Sequence, residues 1–283
     1  MQHPSKEETA TGLVVTTSQG RWSLRCGLER TQRSVVRLAY GVVLMRPSWP
    51  GDPEALAALQ ERLGVAAAER GAADPWRVPA PSVLAGGCFI AHPTGTTGAG
   101  NAGDPAWVAA VTWRADTGAI VAQVVRTTTV PAPYAPGLLA LREGPALAAA
   151  VSALDPAPDI LLVDATGVDH PRRAGLAVHL GAVLGVATVG VTHRSLVARG
   201  EPPAELVRGA TSPLILDGEE VARWVCTRTG TRALLAHAAW RTDPATAASV
   251  VLATSTGAGR TPFPLARART AARAARARAA AST

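Results

Sequence analysis

The chain has 283 residues, 47 % of them apolar, which is enough to bury a core in one large domain or two small ones. No run reaches the roughly 18 apolar residues of a membrane helix, and Met1 to Glu8 lacks the basic-then-apolar pattern of a secretory signal, so a cytoplasmic protein with no membrane partner is expected. The formal charge is +7, but six of the 28 basic residues fall between Arg260 and Thr283, where there is no acid, leaving 22 against 21 in the rest; the body of the chain is not a polycation.

Three cysteines, Cys26, Cys88 and Cys226, are odd in number and contain no CxxC, which argues against a disulfide framework or a zinc ribbon. Residues 1–45 mix polarities without a sustained period and are expected to form an extension of little order. Residues 46–260 are read as the main domain. It opens with a helix capped by Asp52, with Pro53 at its first position and Leu56, Leu59 and Leu63 on one face up to Gly64.

Three strand-like stretches follow, Leu84 to His92, Trp107 to Trp113 and Ala119 to Val130. A Gly/Thr/Ala-rich link separates the first two and a tight turn the next, which predicts antiparallel pairing. Then the period changes: a helix over Pro145 to Leu154, a buried strand over Asp159 to Asp164, a helix over Ala174 to Leu184 and a strand over Val186 to Val191. Strand, helix, strand with short links means parallel crossovers. The expected fold is therefore α/β and ribonuclease H-like, a mixed sheet of three antiparallel strands followed by parallel βαβ units and flanked by helices.

Further on, Leu214 to Leu216, Ala222 to Cys226 and Arg232 to His237 read as short strands and Asp243 to Leu252 as a helix. Residues 261–283 form a basic Arg/Ala-rich helix or tail, open to polyanion binding and equally to a solvated role.

A few residues could carry chemistry. Asp164 ends the apolar run Ile160 to Val163 and precedes Gly167, placing a carboxylate at the C-terminal edge of a buried strand, where α/β folds expose functional groups; helix capping would look alike. Glu143, two residues before Pro145, is expected near a helix N-terminus, whose dipole favours the ionised form that Mg²⁺ or Mn²⁺ requires. Tyr134 lies between Pro133 and Pro136 on a stiff turn suited to stacking in place of an extruded base, though a Tyr packed on its own loop has the same sequence. His170, Arg172 and Arg173 lead toward a helix and could meet phosphate. His179, among apolar neighbours, reads as a hydrogen-bonded core histidine.

Together the PYxPG loop at Pro133 to Gly137, the REGP at Arg142 to Pro145 and the VDxxG…HPRR run from Val163 to Arg173 resemble the endonuclease V family, the nucleases that recognise inosine in nucleic acid. Weaker likeness lies in Ala85-Gly86 and Val189-Gly190-Val191, and the resemblance extends from about Trp49 to about Arg276. It implies that Glu143 and Asp164 bind metal, that Tyr134 is a wedge with Pro133 and Pro136 beside it, and that His170 assists near the scissile phosphate. Gly137, Leu139, Gly167, Gly175 and Leu176 would shape a hypoxanthine pocket, and Arg172 would contact nucleic acid. The implied reaction is Mg²⁺-dependent hydrolysis, with Mn²⁺ as a substitute, of the second phosphodiester 3′ to inosine in DNA, with RNA as a weaker alternative, by a monomer.

Three positions depart from the family pattern: Cys88 stands where a third carboxylate is expected, His193 where a Lys follows the Val189-Gly190-Val191 strand, and Trp240 where a late His is expected. A thiol is a poor ligand for hard cations. The departures imply weak cleavage or altered metal preference, or a binding module that does not cut. A softer Zn²⁺ site joining Cys88, His170, His193 and Asp164 is the remaining alternative.

Overall fold

Helix α1 (Pro53–Ala73) starts as the sequence predicts, with the Asp52 side chain accepting from the Ala55 amide and Pro53 in the first turn. It runs through Gly64, the predicted stop, because a side chain there would meet the Arg172 carbonyl at 2.6 Å; the glycine serves close packing and not termination. The computed structural model describes residues 13–18, 21–26, 49–79, 82–95, 98–256 and 259–282, in two units, Met1–Met45 and Arg46–Thr283. In the first unit β1 (Leu13–Ser18) pairs with β2 (Arg21–Cys26) as an antiparallel hairpin; the rest of the predicted extension lies outside the described residues.

The second unit is built on an eight-stranded sheet. Its strands are β3 (Leu84–Ala91), β4 (Pro105–Arg114), β5 (Ile120–Thr129), β6 (Ile160–Val163), β7 (Ala187–Thr192), β8 (Thr211–Leu216), β9 (Glu219–Val225) and β10 (Leu234–His237). They lie in the order β5-β4-β3-β6-β7-β10-β9-β8. The pairs β3–β6 and β6–β7 are parallel and the other neighbours antiparallel. This is the predicted ribonuclease H-like mixed sheet.

All four residues of β6 are buried, and alternation sends Leu161 and Val163 to one face, Ile160 and Leu162 to the other. The first face is covered by α1, α2 (Leu139–Ser152) and α3 (Leu176–Leu184), the second by α4 (Pro244–Ala253) and α5 (Phe263–Ala281). Helix α5 is the Arg/Ala-rich segment, and it lies on β3 and β4 with Leu265, Ala268 and Ala272 buried. Gly87 of β3 makes this approach feasible, since a side chain there would strike the Pro264–Leu265 backbone. Among the described residues no helix is long and apolar enough to cross a membrane.

Helix α2 begins at Leu139, six residues before its predicted start, and carries Pro145 inside it. Gly144, beside that proline, is packed so closely under Trp49 that a methyl group would overlap the indole ring. Trp49 in turn stacks on His179, with ring centroids 4.2 Å apart and planes 25° from parallel. His179 is in the core as expected but is not hydrogen-bonded: among the described residues neither ring nitrogen has a partner. The neighbouring surfaces are apolar or aromatic, so stacking holds the ring in place.

Burial lowers the His179 pKa from 6.5 to about 4. Below about pH 6.5 the unfolded chain protonates this ring while the folded chain does not until about pH 4, so stability present above 6.5 is lost as pH falls through that window. Urea unfolding should therefore show a midpoint that declines from pH 7 to pH 5, and His179→Phe should flatten the decline. Gly144→Ala should cost on the order of 1–3 kcal/mol through overpacking against Trp49, read as a lower thermal midpoint.

Candidate functional site

Where β6 ends, the chain turns outward at Asp164. Cys88 of β3 stands in parallel register with Val163, one residue before that carboxylate, and Glu143 reaches the same place from the second turn of α2. Cys88, Glu143 and Asp164 line one cavity of about 300 Å³ together with Phe89, Ile90, Tyr134, Leu139, Leu147 and Val163. The three predicted positions therefore converge.

Their surroundings differ from those the sequence suggested. Because α2 starts at Leu139, Glu143 lies past the helix terminus, and burial pushes its carboxyl up despite the opposing hydrogen bond from His92. The predicted dipole effect is thus outweighed by desolvation. His92 Nε2 lies 2.9 Å from Glu143 Oε1, while Arg142 donates to His92 Nδ1 at 3.4 Å. A ring nitrogen that accepts from a guanidinium carries no proton, so the other nitrogen is the donor to Glu143. Arg142 itself is buried, donates to the Ala132 carbonyl at 2.7 Å and lies 3.7 Å from Asp104.

Asp164 is engaged from the opposite face of the sheet. Arg269 of α5 donates to its carboxylate at 2.9 Å. Burial, with added repulsion from Asp164 and Glu143, pushes the Cys88 thiol far up, so it stays protonated. A hard divalent cation needs several ionised oxygens. Here one carboxylate faces a guanidinium, the other is held by an imidazole, and the third position is a protonated thiol. Among the described residues no group of three His, Cys, Asp or Glu side chains is arranged to hold a metal ion, and this donor set does not fit Mg²⁺ or Mn²⁺.

The softer zinc alternative fares no better, because the ring nitrogens of His170 and Nδ1 of His193 are engaged by other partners. His170 is buried, its Nε2 meeting the Gly137 carbonyl at 3.1 Å and its Nδ1 accepting from the Arg172 amide at 3.2 Å; burial lowers its pKa. His193, beyond β7, is exposed and accepts from Arg260 at 3.1 Å; partial burial and then the Arg260 charge lower its pKa. Trp240 is a core residue packed over Gly181 and takes no part in the site. The cation that the C-terminal part of the chain brings to the carboxylates is Arg269.

A second cavity, of about 220 Å³, shares Tyr134, Leu139 and Asp164 with the first. Of the residues expected to shape a base pocket, Gly137, Leu139, Gly175 and Leu176 line it, with His170 at its wall. Gly167 does not; it packs against the Ala238 carbonyl so tightly that any side chain would clash. Gly137 has φ +74°, and its carbonyl accepts from Gln60, His170 and Arg172 at 3.1, 3.1 and 3.3 Å. Arg172 also donates to Gln60 at 2.8 Å, so the guanidinium expected at phosphate instead braces the pocket from beneath. Arg173, with φ 55°, turns away to Asp217 and Glu219.

Tyr134 is half exposed at the mouth of both cavities, flanked by the exposed Pro133 and Pro136. Its amide donates to Ala99 at 2.8 Å, and Val130 and Gly103 lock the start of the loop to the glycine-rich link through Val130–Asp104 and Gly103–Val130 backbone bonds. Sequence reasoning missed Gln60, His92, Arg142 and Arg269. Arg142 stood inside a quoted motif, and His92 closed a predicted strand. Arg269 was one arginine among six, marked only by its spacing of four from Leu265.

Comparison with known proteins places this geometry. The curated endonuclease V of Streptomyces coelicolor is 44 % identical over 124 residues, covering 44 % of this chain and 53 % of its own length. That of a Roseiflexus species is 37 % identical over 157 residues, covering 56 % and 70 %. The chain thus spans between half and 70 % of these relatives in alignment. The crystal structure of Streptomyces avermitilis endonuclease V superposes with a TM-score of 0.70 at 33 % identity, over 82 % of this chain and 96 % of that one. At 20 % identity the fold is shared with Ciona intestinalis endonuclease V in complex with a 24-mer DNA containing an inosine followed by a ribo-adenosine, with a TM-score of 0.65 over 80 % of this chain and 97 % of that one. The endonuclease V family model matches residues 95–270, more than half of the chain and all of the predicted motifs beyond β3, and this chain belongs to the endonuclease V family.

Proposed function

We propose that the chain recognises inosine in DNA by extruding the base into the smaller cavity, with Tyr134 filling the gap it leaves. The observation that carries this reading is the half-exposed, proline-flanked Tyr134 at the mouth of a 220 Å³ cavity walled by Gly137, Leu139, Gly175 and Leu176. Unstacking one base costs a few kcal/mol, least for a weakly paired one, and aromatic stacking returns about 1–3 kcal/mol. The stiff loop means that little further entropy is lost when the ring inserts. His170, held as the tautomer with its proton on Nε2, and Arg172 fix the Gly137 carbonyl, and so the pocket wall, before nucleic acid arrives.

The cavity holding Glu143 and Asp164 shares a wall with the base pocket, which suits hydrolysis displaced from the lesion, at the second phosphodiester on its 3′ side. The residues that would hold the family's divalent cation are Glu143 and Asp164, where such an ion would supply an activated water and charge neutralisation at phosphorus, but the donor set of this chain does not fit Mg²⁺ or Mn²⁺. With Cys88 protonated and both carboxylates already engaged, the proposed cleavage is slow. A second reading, binding without cutting, draws its support from the same Cys88. RNA carrying inosine is the weaker alternative substrate. The protein is proposed to act as a cytoplasmic monomer.

Fluorescence anisotropy with duplex and single-stranded oligonucleotides should show tighter binding when one adenine is replaced by inosine, and Tyr134→Ala should reduce that preference about tenfold with an unchanged thermal midpoint. Equal binding of both oligonucleotides would refute lesion recognition. On denaturing gels, nicking with Mg²⁺, Mn²⁺ or Zn²⁺ should be slow, at the second phosphodiester 3′ to inosine, and lost in Glu143→Ala and Asp164→Ala. Activity surviving in both variants would place the hydrolytic site elsewhere, and no nick with any metal would establish the binding reading.

A further inference from the structure

Helix α5 does more than cover the sheet. Leu265, Ala268 and Ala272 fix one of its faces in the core, and the next positions round the helix, Arg269, Arg273 and Arg276, form a flank. Arg276 donates to the His92 carbonyl at 3.0 Å, and the guanidinium carbons of Arg269 and Arg273 lie 5.2 and 5.7 Å from the centre of the Phe89 ring. Arg269 thus stands over an aromatic face, on a helix whose register is set by buried packing, with its guanidinium against Asp164 and its Nε buried without a hydrogen-bond partner among the described residues. A guanidinium stays charged at every accessible pH and bonds carboxylates in a fixed planar geometry.

We propose that Arg269 is a built-in counter-cation: from the face of the sheet opposite the Glu143 cavity its guanidinium holds one oxygen of Asp164, so the carboxylate's charge is balanced from within and a divalent cation entering the cavity gains less there. The inference deepens the proposed function, since it rests on Glu143 and Asp164 being the family's carboxylates, and it assigns the slow chemistry to a particular residue on a helix that composition alone would call a solvated tail. Asp164 has paired with a fixed positive charge, Glu143 with His92, and Cys88 adds no ionised ligand. A cation arriving there faces Coulomb repulsion from Arg269 at close range and gains only what the carboxylate offers beyond its existing partner.

The test is Mn²⁺ binding to the full chain, followed by isothermal titration and by the loss of free-Mn²⁺ electron paramagnetic resonance signal, with no nucleic acid present. Arg269→Gln removes the charge while keeping much of the side chain, and should tighten Mn²⁺ binding about tenfold or more. Arg269→Lys keeps a cation and should stay near the native affinity. Asp164→Asn in the Arg269→Gln background should abolish the gain. Should Arg269→Gln fail to fold, judged by circular dichroism, Arg269→Met, which removes the charge and keeps an apolar stem beside Phe89, decides: it should show the same gain in Mn²⁺ affinity. No gain in the folded neutral variant, or equal gains in the neutral and Lys variants, would each overturn the proposal. Inosine binding measured in EDTA on the native chain is read separately, so its absence would refute lesion recognition and leave the Mn²⁺ titration to stand on its own result.

Discussion

The feature on which the site depends is the end of β6. Four consecutive buried residues, Ile160 to Val163, feed both faces of the sheet and leave the chain no choice but to turn outward at Asp164. Parallel pairing with β3 then fixes Cys88 beside it, and parallel pairing with β7 fixes the strand that leads to Thr192 and His193. A carboxylate so placed is only partly exposed, and the charge that meets it in the structure comes from an element crossing the same edge. In this chain that element is α5.

Much of this was legible in the sequence because it follows from patterning. The apolar run before Asp164, the Gly-rich and Pro-rich turns and the strand–helix alternation depend on local chemistry, and the resulting sheet order matches the expected fold. The start of α2 was not legible. Leu138 to Arg142 carries no capping residue, and Pro145 reads as a start signal, yet tertiary packing of Ala140, Leu141 and Leu147 carries the helix back to Leu139. That shift moved Glu143 from a dipole-assisted end into a buried second turn and changed what governs its charge.

The roles of the basic residues were the least readable. Arg142 stands beside Glu143, Arg172 beside Arg173 and Arg269 in an Arg/Ala-rich run, and sequence alone does not say whether such an arginine faces phosphate or the protein. The structure turns all three inward: Arg142 to His92 and Ala132, Arg172 to Gln60 and Gly137, Arg269 to Asp164. Long guanidinium side chains reach across elements distant in sequence, so their partners are set by tertiary contacts that no local window contains. The same holds for Gly64 and Gly167, which look like helix-breaking and pocket-forming glycines and are instead places where two backbones meet.

One guanidinium has a wider reach than its position in a four-residue motif suggests. Arg142 holds the Ala132 carbonyl, two residues before Tyr134, with one of its terminal nitrogens, and the imidazole that bonds Glu143 with the other. The Tyr134 loop and the carboxylate therefore hang from a single rigid plane. Ala132 and Glu143 are thereby joined through three hydrogen bonds, one guanidinium and one imidazole, so a shift of the Tyr134 loop and a shift of the carboxylate draw on the same few bonds.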